Sequence, residues 1–115
     1  MRFYSTSDPK HSVSFKEAVF TSLPPNKGLY FPVEIPRLDC HTLDHLSNRS
    51  LVSIGLEMMK PFVEEDVPEE VLDRIIHETL DFELPIKQVS EQIHVLELYH
   101  GPTWAFKDVG ARFLA

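Results

Sequence analysis

The 115-residue sequence is short of several things, and each shortage excludes a class of protein. A single cysteine, Cys40, cannot form an internal disulfide and suits a reducing compartment. No apolar run approaches the roughly 18–20 residues that cross a bilayer. The start, Met1-Arg2-Phe3-Tyr4-Ser5-Thr6-Ser7-Asp8, lacks the apolar core of a secretory leader, and the expectation is a cytoplasmic, unprocessed N-terminus. Cations are in the minority: 11 Lys and Arg against 18 Asp and Glu leave a net charge of −7. That balance argues against nucleic acid and anionic membranes as partners, because both require clustered Lys and Arg. Only four glycines occur and none are clustered, so no glycine-rich loop is present to cradle a phosphate. No internal repeat is visible either. What remains is globular in kind: 43% hydrophobic and 25% charged residues suffice for one domain's core and exclude disorder or low complexity.

Local patterns predict both helices and strands. Arg2 to Thr6 reads as a short extended start. Ser14-Phe15-Lys16-Glu17 predicts a capping box, with Phe15, Ala18, Val19 and Leu23 at helical spacing behind it. Pro24-Pro25-Asn26-Lys27-Gly28 stops that helix and turns the chain. Leu29-Tyr30-Phe31-Pro32 reads as a short strand at a sheet edge, since Pro32 has no N–H to donate. A helix is expected from about Leu43 to Met59, on Leu46, Leu51, Ile54 and Met58, with Met58-Met59 as core filler and Pro61 closing it. Asp66-Val67-Pro68-Glu69 then offers a cap residue, a first-turn proline and an acid, followed by a buried stripe of Leu72, Ile75, Ile76 and Leu80. The acidic run Glu64-Glu65-Asp66 with Glu69-Glu70 reads as a solvated helix start. Ile93 to Tyr99 predicts a buried or half-buried strand, ended by His100-Gly101-Pro102. Thr103 is a candidate cap for a last helix beginning near Lys107. The sequence stops at Arg112-Phe113-Leu114-Ala115 without a cap, Gly or Pro, and the expectation is that these residues open a longer polypeptide.

The stretch from Leu96 to Phe113 carries the chemical signal. It reads as strand, tight turn and helix start with Lys107 at the helix opening. Helix N-termini at the ends of strands are where open α/β sheets gather ligands. The positive end of the helix dipole disfavours a cation and so favours the neutral amine, the form a Schiff-base nucleophile needs. Asp108 pulls the other way, and a solvated surface lysine fits the same pattern.

The segment Leu96-Glu97-Leu98-Tyr99-His100-Gly101-Pro102-Thr103-Trp104-Ala105-Phe106-Lys107-Asp108 resembles the pyridoxal-phosphate lysine motif of the threonine synthase family, L-E-L-F-H-G-P-T-L-A-F-K-D. Tyr4-Ser5-Thr6, Ser14-Phe15-Lys16-Glu17-Ala18-Val19 and Lys27-Gly28-Leu29-Tyr30-Phe31-Pro32 are similar to further blocks of that family, as is Pro61-Phe62-Val63. The blocks run in the family's order across nearly the whole chain. Departures are modest: Tyr99 stands for Phe, Trp104 for Leu, Ser7-Asp8 for Arg-Gly and Asn26-Lys27-Gly28 for Asp-Gly-Gly. The roles of Ser5 and Thr6 stay open.

The resemblance implies an α/β fold: residues 1–85 as the family's small N-terminal domain, and residues 86–115 as the first strand and helix start of a cofactor domain of the tryptophan-synthase-like type. It implies a pyridoxal 5'-phosphate lyase converting O-phospho-L-homoserine and water to L-threonine and phosphate, the last step of threonine biosynthesis. Lys107 is then the catalytic and cofactor-binding residue, and His100, Thr103 and Asp108 are candidate substrate or cofactor contacts. The phosphate grip is expected from the rest of the enzyme's own chain, and the 115 residues alone are expected to be inactive. Two other readings are a non-catalytic module of the same family and another enzyme of the same cofactor fold type; the Tyr4–Pro32 blocks argue against the latter. No second Cys or nearby His completes a ligand set with Cys40, His41 and His45, so no metal site is expected.

Overall fold

The protein's structure, a computed structural model, describes residues 1–115 and divides them into two units, Met1–Asp73 and Arg74–Ala115. In the first unit the extended start is strand β1 (Arg2–Ser5), which turns through Thr6-Ser7 into β2 (Asp8–Ser14). β3 (Tyr30–Pro32) pairs with the other side of β1, and all neighbours are antiparallel in the order β2-β1-β3. Tyr4 stands opposite Phe31, their rings meeting edge-on at 6.1 Å. β3 is an edge strand, as Pro32 requires. β2 carries no sequence signal: its Asp8-Pro9-Lys10-His11 half is polar and exposed, and an edge position tolerates Pro9.

The turn between β1 and β2 is locked by short polar side chains. Ser5 Oγ donates to Asn26 Oδ1 at 2.7 Å and accepts from Ser7 N, while Leu29 N donates to Thr6 Oγ1 at 2.9 Å. Thr6 N returns a bond to the Leu29 carbonyl. Gly28 is buried against this knot, where a Cβ would stand 2.8 Å from Ser7 N. Ser5 and Thr6 therefore have structural work in the turn.

Helix α1 (Phe15–Thr21) starts with the expected reciprocal box: Glu17 N donates to Ser14 Oγ at 3.1 Å and Ser14 N to Glu17 Oε2 at 2.9 Å. A second acceptor comes from 50 residues away, Asp66 Oδ2 taking the N–H of Lys16 at 3.1 Å. Asp66 thus caps α1 and not the helix that follows it, and Glu65 pairs with the Met1 ammonium, so this acidic run is only partly a solvated helix start. Ser22, at φ 59°, ends α1 and leaves Leu23 beyond it and exposed, against the expected apolar stripe.

The single helix expected from Leu43 to Met59 is two. α2 (Cys40–Leu46) is capped by Asp39, whose carboxylate accepts from Thr42 N at 2.7 Å. α3 (Leu51–Val63) is capped by Ser50 through Ser53 N at 3.2 Å. Two competent caps within 12 residues each nucleate a start, and the intervening polar Ser47-Asn48-Arg49 segment forms the break. Pro61 sits inside α3 and does not close it: the last turn continues to Val63, which is fully buried, and Glu64 N reaches the Lys60 carbonyl at 3.0 Å. A proline this near a helix end forfeits one bond, and burial of Val63 outweighs it. Leu51 and Met58 remain exposed, so Met58 is not core filler.

Helix α4 (Glu69–Thr79) runs across the unit boundary, and its Leu72 and Ile76, 1% and 2% exposed, are the best-buried part of the expected stripe. In the second unit β4 (Ile86–Gln88) and β5 (His94–Leu96) form an antiparallel ribbon, extended by the Glu97 N bond to the Pro85 carbonyl. The sequence predicts a buried or half-buried strand over Ile93–Tyr99; β5 is shorter, and Val95 and Leu96 are exposed, because a two-stranded ribbon has no second layer of its own to cover them. α5 (Asp108–Leu114) closes the unit, tied by Arg112 to the Glu78 carbonyl and, at 2.7 Å, to the Asp81 carboxylate.

Two substitutions probe the first unit. Gly28→Ala forces a methyl into the Ser5–Ser7 knot and is expected to destabilise by about 1–3 kcal/mol. Ser14→Ala removes the α1 cap at about 1 kcal/mol. Both are read from denaturant unfolding midpoints, and an unchanged midpoint for Gly28→Ala contradicts the packing described.

Candidate functional site

The turn between β5 and α5 gathers the four residues singled out by sequence, and it sorts them into two groups. Thr103 and Asp108 are joined. Thr103 N donates to Asp108 Oδ2 at 2.9 Å, and the Thr103 hydroxyl donates to Oδ1 in a short contact. Thr103 is therefore not the cap of α5. The cap position belongs to Lys107, which has no side-chain cap bond, since an ammonium cannot accept one. Asp108, the first residue of the helix, is 4% exposed and turns its carboxylate back on the loop.

The loop is shaped to let that carboxylate in. Gly101 is buried, and a Cβ there would stand 2.8 Å from Asp108 Cβ and collide with its carboxylate. Trp104 N donates to the Gly101 carbonyl at 3.1 Å, and Asp108 N to the Ala105 carbonyl at 3.0 Å. Between these bonds Trp104 takes φ 58°, a left-handed conformation that costs a non-glycine residue about 1–2 kcal/mol. Trp104 is 83% exposed, and Phe106 and Tyr99 are exposed as well.

His100 is held apart from the clasp. Its Nε2 lies 2.7 Å from Glu97 Oε2, and its ring stacks on Tyr99 with centroids 4.8 Å apart. Hydrogen bonds from His100 and then Tyr99 hold the Glu97 carboxyl below the usual glutamate range, against the opposing effect of burial. The bond to Glu97 pushes the Tyr99 hydroxyl up. Lys107 is exposed, and its amine makes no hydrogen bond or ion pair. No residue of the first unit's His41–His45 pair, Nε2 atoms 3.2 Å apart, belongs to a group of three or more side chains able to hold a metal.

Sequence reasoning found the residues of this turn and missed their pairing. A Thr–Asp contact five residues apart has no helical or capping-box spacing, and Glu97 as the partner of His100 was not anticipated. The buried Gly101 was the available signal, a position where backbone and side chain meet closely.

Bonding by the Thr103 hydroxyl, the largest cause, holds the Asp108 carboxyl below its ordinary value of 3.8; burial opposes it, and the Thr103 and Ala105 N–H groups and Arg112 add to the lowering. A carboxyl depressed in the folded state contributes stability that is complete above 3.8 and fades as pH falls through the lower folded value. A carbon-13 titration of the Asp108 carboxyl should give a midpoint under 3.8, and a midpoint at or above it contradicts the clasp.

Comparison with known proteins accords with this geometry. Residues 2–80 match the family model described as threonine synthase N terminus. The chain is 36% identical over 115 residues to threonine synthase of Serratia marcescens, covering all of this chain and 27% of that protein. The crystal structure of threonine synthase from Escherichia coli superposes with TM-score 0.93 at 33% identity, over 99% of this chain and 27% of that one. A pyridoxal-phosphate-bound threonine synthase from Brucella melitensis gives TM-score 0.93 at 32% identity, over 99% and 26%. The chain thus spans about a quarter of the length of the relatives it matches. No helix is long and apolar enough to cross a membrane. A match over most of the chain in sequence and over nearly all of it in structure is decisive: the chain belongs to the threonine synthase family and corresponds to its N-terminal part.

Proposed function

We propose that these residues serve a cytoplasmic pyridoxal-phosphate lyase that converts O-phospho-L-homoserine and water to L-threonine and phosphate. In this reading residues 1–85 are the small N-terminal domain and residues 86–115 open the cofactor domain, the remainder of the same polypeptide being their partner. The observation that carries it is Lys107: an exposed, unpaired amine at the head of a helix, within a segment that matches the family's lysine motif.

The donor set fits an aldehyde cofactor. The carboxylate nearest in sequence, Asp108, has its oxygens bonded to Thr103, so it does not hold the lysine as an ion pair. Bound there, pyridoxal phosphate supplies an electron sink for negative charge developing on substrate carbon. Lys107 Nζ would hold the cofactor through its aldehyde carbon, and the same amine, when free, would accept and return protons at the substrate carbons. Over the whole reaction phosphate leaves the γ-carbon and the elements of water add across the β- and γ-carbons, with hydroxyl at the β-carbon. One amine serves both uses because its attachment already places it within reach of those carbons. His100, exposed and oriented by Glu97 and Tyr99, is the candidate for direct contact with substrate or cofactor, while Thr103 and Asp108 flank the lysine.

The test uses the full-length protein encoded with this sequence. With pyridoxal phosphate it should develop the visible absorbance of lysine-bound cofactor and release phosphate from O-phospho-L-homoserine. Lys107→Ala should abolish the band and lower turnover at least about a thousandfold, on the scale of losing a covalent and proton-transfer group. Full phosphate release by that variant overturns the assignment. The 115 residues alone should form no threonine.

A further inference from the structure

In the turn from Gly101 to Asp108 both polar donors of Thr103, its N–H and its hydroxyl, are directed at one carboxylate. Asp108 receives the Thr103 N–H at 2.9 Å and the Thr103 hydroxyl, and its side chain packs where Gly101 has no Cβ. The ring closed by these bonds includes Trp104 at φ 58°, a conformation that persists only because the surrounding bonds over-determine it. Lys107 lies on the same ring, its backbone joined to the carboxylate's own residue, while its side chain takes no part in the bonds that close it. Its position is set by a clasp in which its own side chain takes no part.

We propose that Asp108 and Thr103 are positioning residues for Lys107, the clasp fixing the backbone from which the lysine projects and keeping the neighbouring carboxylate off its amine. In this role both act through the backbone of Lys107, in place of the direct substrate or cofactor contact expected of them from the sequence. The inference rests on the reading of Lys107 as the cofactor lysine and assigns what holds it. The bonds that define the clasp also hold the Asp108 carboxyl below its ordinary value, the Thr103 hydroxyl contributing most. Gly101 belongs to the same device, as any side chain there displaces the carboxylate.

The test reads where the cofactor attaches, independently of turnover. The full-length protein, freed of cofactor, is given limiting pyridoxal phosphate, reduced with borohydride and mapped by mass spectrometry across Lys107 and Lys10, Lys16, Lys27, Lys60 and Lys87. Attachment in the unaltered protein should concentrate on Lys107. Asp108→Asn and Thr103→Val should cut the Lys107 share at least about tenfold, since ångström-scale misplacement of a reacting group costs on the order of a hundredfold. Thr103→Ser, which keeps the hydroxyl, should restore it. Unfolding midpoints are measured alongside: a variant that loses stability yet labels Lys107 as before shows a merely structural clasp and overturns the inference. If Asp108→Asn does not fold, the Thr103→Val and Thr103→Ser pair decides the question, and equal Lys107 labelling in both overturns it. Absence of Lys107 attachment in the unaltered protein overturns the reading of Lys107 itself, a result distinct from equal attachment in all variants.

Discussion

An α-helix begins with N–H groups that have no partner inside it, and the folding of this chain is organised around supplying them. Ser14, Asp39 and Ser50 each place an oxygen over the helix they precede, and Asp66 crosses 50 residues to reach the first turn of α1. These acceptors decide where helices start, and so where the turns between them fall. Helix α5 forgoes a side-chain cap, its cap position being given to Lys107. A lysine there contributes nothing to the helix start, which is the kind of local sacrifice found where a position is kept for chemistry.

The sequence announces local devices and hides distant ones. The Ser14–Glu17 box, the Pro24–Gly28 turn, the edge strand ending at Pro32 and the Leu72–Ile76 face are legible because their partners lie within a few residues. β2 is not, because an exposed edge strand needs no apolar alternation. The α2–α3 break lies between two caps, yet the periodicity of Leu46, Leu51 and Ile54 runs straight across it. The service of Asp66 to α1 follows from tertiary packing, and no pattern within a short window encodes it.

The site shows the same division at finer scale. Lys107 stood out because its motif is contiguous, and His100, Thr103 and Asp108 were named with it for that reason. Their pairing is a matter of three dimensions: two face each other, one turns to Glu97 and Tyr99, and the lysine is left free. Strand β5 illustrates the limit of composition. The β-branched and aromatic residues of Ile93–Tyr99 predict its extended conformation but not its exposure, since propensity speaks to the backbone while burial depends on a neighbour.

The donors that hold the Asp108 carboxylate are an amide and a hydroxyl, both uncharged and both at contact distance. Mobile ions weaken attractions between separated charges over a Debye length of about 8–10 Å, and they have little to act on here. The exposed pairs Arg49–Glu57 and Lys60–Glu69 belong to the other regime. The salt content of the surroundings therefore tunes the polar skin of this domain more than the bend that carries its lysine, where only the lesser attraction of Arg112 for the Asp108 carboxylate is open to screening.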